Sequence, residues 1–308
     1  MPGLSCIVKK ELSDAASNRV FLLSCFILLV SCALTGIYAA NAYSMLDSRF
    51  LEIQAHRNME LVIIWELLPQ IKLVGALVSV AYGFNAVNKE RNEGNLKVLL
   101  SYPIYRDQVI LGKLLASLII IVFVTFLSLG LSLTLYLFLT NIVLSLEEYV
   151  SYFAFTCFSA LLLVGYLGVS IFLSIAFKDP KMSLIAAFLL ISVFNSWIFL
   201  SYGRLVTDTL YGKELTTWLT SPNLPVRFIR DLIENLSPAH GLKNLAYQLF
   251  SNELGFYVGS GSETSLVWIE PSIWNIITNR LDAITVLIII PVISFSASYM
   301  LFTRRDVT

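Results

Sequence analysis

The sequence predicts an all-α polytopic membrane protein, and two observations carry this prediction. The chain has 308 residues, of which 57% are hydrophobic and only 14% are charged, whereas a soluble domain has about a quarter charged residues. Charge-free stretches of 21 to 29 residues recur along it, and about 20 apolar residues are enough for a helix to cross the hydrocarbon layer. Because 21 basic residues balance 21 acidic ones, we expect no large charged surface for nucleic acid.

Six segments have the length and composition of a membrane span. They are residues 20–40, 66–87, 114–139, 149–177, 182–203 and 283–303. Five of the six contain no charge, and the exception is the second, which begins at Glu66 and contains Lys72. One lysine costs at most about 3 kcal/mol at the centre of a helix, which the apolar residues of that segment outweigh. We therefore predict six transmembrane helices.

Lysine and arginine residues predict the orientation, because short loops rich in them stay in the cytoplasm. The connecting segments on one side contain 12 basic residues, and the longer segments on the other side contain 8. The first set is residues 1–19, 88–113, 178–181 and 304–308, and the second set is residues 41–65, 140–148 and 204–282. We expect a multi-pass protein of the cell membrane, with both termini in the cytoplasm and residues 204–282 outside.

Residues 1–19 precede the first span and carry a helical pattern. Apolar residues recur there at spacings of three and four, at Leu4, Ile7, Val8, Leu12 and Ala15. This pattern predicts an amphipathic helix that lies in the inner headgroup region. An ordinary cytoplasmic lead-in helix is the alternative.

The segment 204–282, between the fifth and sixth spans, is predicted to be a mainly helical extracellular insertion. Two groups of apolar residues each share one helical face, namely Val226, Ile229, Ile233 and Leu236, and Leu242, Leu245, Ala246 and Leu249. Ser237 and Pro238 suit the N-cap and first turn of the second helix. Residues 255–269 resemble two short strands around a glycine turn, with a plain loop as the alternative.

The loop at residues 88–106, between the second and third spans, predicts a charged helical elbow at the cytoplasmic surface. Gly94 suits the end of the preceding helix, and Pro103 prevents a short helix from running straight into the third span. Three leucines share one side of that short helix, at Leu96, Leu99 and Leu100. The alternative, which composition alone favours, is a solvated loop that only anchors topology through its positive charge.

The residues of this elbow resemble the signature of ABC type-2 transporter permeases. The matching run is Glu90-Arg91-x-x-Gly94-x-Leu96-x-x-Leu99-Leu100-Ser101-x-Pro103-Ile104-x-Arg106-x-x-Val109-x-x-Gly112-Lys113. The resemblance also covers the lead-in helix with Lys10-Glu11, the six-span layout, the long outside segment and the end of the chain from Phe302 to Asp306. The chain departs from the family at Asn92, where a second acidic residue is common, and at Asn95, where the family usually has threonine.

The resemblance implies the transmembrane permease subunit of an ABC exporter, with residues 1–308 as one permease domain. Its elbow would dock in a cleft of a separate ATPase subunit. Leu96, Leu99 and Leu100 would make the apolar contact and Glu90 and Arg91 the charged contacts, in a shape set by Gly94 and Pro103. At the inner headgroups, Arg106 and Lys113 would extend their charges towards water beside Gly112.

The resemblance further implies that two ATPase subunits and a second permease copy or a paralogue join this chain. The assembly would lie in membrane lipid and export a hydrophobic or amphipathic compound. The residues themselves agree with this division of labour. The chain contains no phosphate-binding loop, because Gly112-Lys113 is followed by Leu114 and Gly212-Lys213 by Glu214. We therefore expect no enzymatic activity and no cofactor in this chain, with ATP and Mg bound by the partner.

Other functional classes find little support in the sequence. His56 and His240 stand alone and are expected at the surface, and the four cysteines show no C-x-x-C spacing, so neither a metal site nor a disulfide framework is predicted. Glu66 and Lys72 are the only ionisable residues within the predicted spans. We expect them to line an outer vestibule, with a role in a transport path as the alternative.

Two further hypotheses belong to other classes. An ion-gradient-driven secondary carrier would need buried acids, inverted repeats and broken helices, of which the sequence offers only Pro291 and Lys72. A membrane-anchored assembly protein with an extracellular binding segment would function without any cytoplasmic ATPase.

Overall fold

The computed structural model of the protein describes residues 2–44, 59–92, 106–195, 237–250, 254–258, 265–269 and 281–304. In chain order the helices are α1 (Pro2–Ser17), α2 (Arg19–Ser44), α3 (Met59–Gln70), a π-helical segment (Ile71–Gly75), α4 (Ala76–Gly83), α5 (Asn88–Asn92), α6 (Arg106–Thr140), α7 (Leu146–Ala176), α8 (Pro180–Asn195), α9 (Pro238–Phe250) and α10 (Leu281–Arg304). Strands β1 (Leu254–Val258) and β2 (Ser265–Ile269) lie between α9 and α10.

Helical stretches long and apolar enough to cross a membrane confirm the predicted fold class of an α-helical multi-pass protein. Five such stretches occur in the described residues, namely Arg19–Ser44, Ile63–Gly83, Asp107–Thr140, Leu146–Ala176 and Leu281–Arg304. They coincide with five of the six predicted spans. The remaining span, predicted at 182–203, begins within α8, of which 16 residues are described. Residues 196–203 of that span lie outside the described residues, and six spans stay a prediction.

The described part of the predicted insertion contains one of its two predicted helices and both of its predicted strands. In α9 the predicted apolar face is buried, at Leu242, Leu245, Ala246 and Leu249. The Ser237 hydroxyl oxygen accepts a hydrogen bond from the His240 backbone N–H at 3.3 Å, as an N-cap does. Strands β1 and β2 pair antiparallel with Tyr257 opposite Leu266, which confirms the two predicted strands. The residues that join them lie outside the described residues. The helix predicted around Val226 lies outside the described residues.

Helix α7 is the centre of the bundle. Its most apolar 18-residue window is 78% buried, against 22% to 56% for the other four candidate spans, and it packs against α4, α6, α8, α9 and α10. Side chains on Gly165 and Gly168 would press on α10, at Ile290 and Ser294 respectively. The Gly-x-x-Gly spacing therefore serves close helix packing.

Hydroxyl groups join α7 and α8 to the second span, in a region where lipid offers no hydrogen-bonding partner. The buried Ser79 hydroxyl donates to the Leu163 carbonyl at 3.1 Å, and the Ser170 hydroxyl donates to the Val80 carbonyl at 3.4 Å. At the end of α4, the Phe84 carbonyl accepts from Ser183 of α8 at 3.1 Å. Because each hydroxyl has a partner inside the protein, these polar side chains stabilise helix packing within the membrane.

Helices α2 and α6 approach each other closely at Gly36. A Cβ atom at this position would lie 2.5 Å from the backbone carbonyl oxygen of Ser132. That contact is with backbone and cannot be relieved by a side-chain rotation. Gly130, two residues earlier on α6, has open space where its Cβ would be.

We predict that Gly36→Ala destabilises the protein and that Gly130→Ala does not. Overpacking at Gly36 costs about 1–3 kcal/mol, which exceeds the gain of about 1 kcal/mol from replacing glycine by alanine in a helix. At Gly130 only the gain applies. The measurement is the temperature at which the detergent-purified protein loses its monodisperse gel-filtration peak. Equal temperatures for the two variants would contradict the close packing at Gly36.

Candidate functional site

The cytoplasmic elbow predicted at residues 88–106 is described at its two ends. Its first end is α5, which contains Glu90 and Arg91, and its second end is the start of α6 at Arg106. The other predicted contact residues lie outside the described residues, namely Gly94, Leu96, Leu99, Leu100 and Pro103. Their role in docking stays a prediction. The described ends show how the elbow is attached to the bundle.

The first end of the elbow is attached to α7 through Ser174. The Ser174 hydroxyl oxygen accepts hydrogen bonds from the backbone N–H groups of Val87 at 3.2 Å and Asn88 at 3.4 Å. N–H groups at a helix start have no partner within the helix, and both residues are fully buried here. Ser174 therefore supplies the acceptor that lets α5 begin against α7.

Arg91 strengthens the same attachment. Its Nη1 donates to the Phe177 carbonyl and to the Asn88 side-chain oxygen, both at 3.3 Å. Phe177 follows the last residue of α7, where backbone carbonyls are free and the helix dipole favours a cation. The sequence predicted Arg91 as a charged contact for a partner protein. The structure shows that Arg91 also binds its own bundle, and a guanidinium has five donors with which to do both.

The second end of the elbow is attached to α1. A Cβ atom on Gly112 of α6 would lie 2.5 Å from Cγ2 of Ile7, a buried residue of α1. Glycine at this position therefore allows α1 to lie directly on α6. The sequence run that ends in Gly112-Lys113 thus has a local structural reason for its glycine.

Lys113 forms a buried ion pair with Glu11 of α1. Its Nζ lies 2.8 Å from Glu11 Oε1, and the two side chains are only 6% and 11% exposed. We expected Lys113 to extend towards the headgroups, and the structure differs because α1 covers it. Sequence reasoning did not identify Glu11 as its partner. The available signal was the spacing of four that places Glu11 on the same helical face as Ile7 and Ala15.

The two residues predicted to line an outer vestibule do not pair with each other. Glu66 lies in α3 and Lys72 in the π-helical segment, and they form no ion pair with each other in the described part of the chain. Both side chains are partly exposed. The backbone carbonyl of Lys72 accepts a hydrogen bond from the Asn195 side-chain amide, whose oxygen accepts from the Tyr166 hydroxyl at 2.7 Å. This polar chain links the second span to α7 and α8.

A second lysine lies near Lys72 and was not singled out from the sequence. Lys243 of α9 lies over the ring of Trp65 at 5.9 Å from its centroid, and it is close enough to Lys72 for the two charges to repel each other. The outer region thus combines a lysine of a span with a lysine of the insertion. The signal that could have revealed Lys243 was its place in α9, a helix whose apolar face is buried against the bundle.

These features define a multi-pass α-helical protein whose membrane-embedded bundle holds the segments on both sides of the predicted elbow. The model of the ABC-2 family transporter proteins matches residues 5–307, and the chain belongs to this family. The resemblance drawn from the elbow residues is therefore confirmed. The protein is a permease of the ABC transporter class, a membrane transport component whose family associates with ABC ATPase partners. A comparison with curated proteins found no match.

We predict that Lys113→Met destabilises the protein by about 3 kcal/mol or more, because it leaves the Glu11 carboxylate buried without its partner. Replacing both residues, as in Glu11→Leu with Lys113→Met, is expected to restore most of the stability. Thermal unfolding of the purified protein in detergent measures both effects.

Lys10→Met is the matched control for this prediction. Lys10 is 44% exposed and lies 3.5 Å from Asp14 and 3.6 Å from Glu11, and exposed ion pairs contribute about 1 kcal/mol or less. If Lys10→Met and Lys113→Met lowered the unfolding temperature equally, the buried pair would have no special role.

Proposed function

We propose that this chain is the transmembrane permease subunit of an ABC exporter, which couples ATP hydrolysis by a separate subunit to the export of a hydrophobic or amphipathic compound. Membership of the ABC-2 family supports a permease role. The observation that carries the coupling proposal is the attachment of the elbow to the bundle at both of its ends. A loop that only anchored topology would not need buried contacts at both ends.

The two attachments provide a route for mechanical coupling. In the proposed mechanism, two ATPase subunits bind ATP and Mg and close on each other, which displaces the elbow docked on each of them. At the first end the displacement passes through Asn88 and Arg91 to α7, the most buried span. At the second end it passes along α6, which takes α1 with it through Glu11 and Lys113. The helices then rock together and open the path to the other side.

The proposed assembly contains two permease chains and two ATPase subunits. One chain supplies one elbow, so a second copy or a paralogue would supply the other. We place the protein in the cell membrane with both termini in the cytoplasm. This orientation is supported by the bias of basic residues and by the contacts that gather α1, α5 and the end of α7 at the same end of the bundle as the elbow.

The proposed substrate class follows from the charge content of the spans. Only Glu66 and Lys72 are ionisable within the predicted span boundaries, so the bundle offers little fixed charge to a highly charged hydrophilic solute. The polar side chains of Asn195 and Tyr166 beside Lys72 are already hydrogen-bonded within the protein. An amphipathic compound suits such surroundings better than an ion.

Replacing Leu96 and Leu99 by glutamate is the test of this function. We predict that the double variant loses co-purification of the ATPase subunit, because two charges would have to be buried in the contact with that subunit. Membrane insertion is expected to be unchanged, since both positions precede α6. The measurement is the ATPase-to-permease ratio after affinity purification from detergent-solubilised membranes.

The matched control introduces the same two charges at the opposite end of the bundle. Val143 and Leu146 are exposed by 91% and 79%, and Val143→Glu with Leu146→Glu is expected to keep the ATPase ratio at the level of the unmodified protein. An unchanged ratio in the Leu96 and Leu99 variant would contradict docking through the elbow.

A further inference from the structure

A polar cavity of about 620 Å³ lies between α1, the start of α2 and the segment that joins α4 to α5. Its lining includes six charged residues, Lys10, Glu11, Asp14, Arg19, Lys89 and Lys113. We propose that this cavity binds the phosphate headgroup of an anionic phospholipid. The proposal concerns the permease chain alone and does not depend on coupling to an ATPase.

The charges of the cavity leave two cations in excess. Four of the six charged residues are basic and two are acidic. Both acids already have basic neighbours, since Glu11 lies 2.8 Å from Lys113 and Asp14 lies 3.5 Å from Lys10. Arg19 and Lys89 form no ion pair with any residue in the described ranges and are exposed. A phosphate diester carries the opposite charge and is the ligand that basic pockets between membrane helices attract.

One neutral feature of the cavity adds to this complementarity. Asn85 also lines the cavity, and its buried side-chain oxygen accepts no hydrogen bond from the residues that the structure describes. A headgroup hydroxyl, such as those of phosphatidylglycerol, can donate a hydrogen bond to this oxygen.

The surface beside the cavity favours a lipid over a soluble phosphate. Directly after Arg19, α2 presents Val20, Leu23 and Phe26, which are 61%, 63% and 62% exposed. Their spacing of three places them along one side of the helix, leading from the cavity into the membrane. Acyl chains can lie along this apolar stripe while the phosphate occupies the cavity. A soluble anion would make no use of it.

The test is lipid binding to the purified full-length permease in detergent, followed by native mass spectrometry. We expect dioleoylphosphatidylglycerol to bind more tightly than dioleoylphosphatidylcholine. The double variant Arg19→Gln with Lys89→Gln is expected to bind phosphatidylglycerol about tenfold more weakly, because two favourable charges are removed. The variant Arg19→Lys with Lys89→Arg keeps both charges and is expected to keep the binding, which separates loss of charge from loss of folding.

The matched control removes two other basic residues near the same end of the bundle. Lys178 lies between α7 and α8, Lys181 lies in the first turn of α8, and both are exposed. The variant Lys178→Gln with Lys181→Gln is expected to leave lipid binding unchanged. Equal weakening by this control, or equal binding of the two lipids, would overturn the proposal. Displacement of phosphatidylglycerol by millimolar inorganic phosphate would show a site for soluble anions and would overturn the assignment to lipid.

Discussion

The ion pair between Glu11 and Lys113 is the interaction on which the end of the bundle next to the predicted elbow depends. Two charges removed from water are tolerated only when they face each other. Separating α1 from α6 would therefore expose one of these charges or leave it buried without its partner. Gly112 makes the pairing possible by letting α1 lie against α6. Helix α1 is therefore a part of the bundle, and the second end of the elbow is fixed to it.

The lipid environment imposes the second constraint. Polar groups within a membrane need partners inside the protein, and Ser170, Ser174 and Ser183 meet this need by binding backbone groups of neighbouring segments. Ser174 does so where the elbow begins, and Ser170 does so one turn earlier. The same helix that centres the bundle thus also holds the first end of the elbow. A force applied to the elbow would therefore act directly on the most buried span.

Hydropathy and periodicity were enough to predict much of this fold. The five long spans, the buried face of α9 and the paired strands β1 and β2 follow from local patterns, because each depends on residues close together in the chain. The pairing of Glu11 with Lys113 could not be predicted in this way, since the two residues are 102 positions apart. The π-helical segment was not predicted either, although Pro69 lies two residues before it and, lacking a backbone N–H, was an available local signal.

The candidate site was predictable in its location but not in its contacts. The residue run of the elbow identified the family, whereas the binding of Arg91 to the end of α7 depends on tertiary packing. The role of Leu96, Leu99 and Leu100 in docking an ATPase subunit remains a prediction from the family resemblance. Their proposed partner is another polypeptide, and the sequence of one chain contains no information about the surface of that partner.

Site-specific photo-crosslinking tests the central claim most directly. A photoactivatable amino acid is placed at Leu96 in one variant and, in another, at Leu139, which lies near the far end of α6 and is 47% exposed. Cells that also produce the ATPase subunit are then irradiated. The account predicts a permease–ATPase product from position 96 and none from position 139. A product from position 139 alone would contradict it.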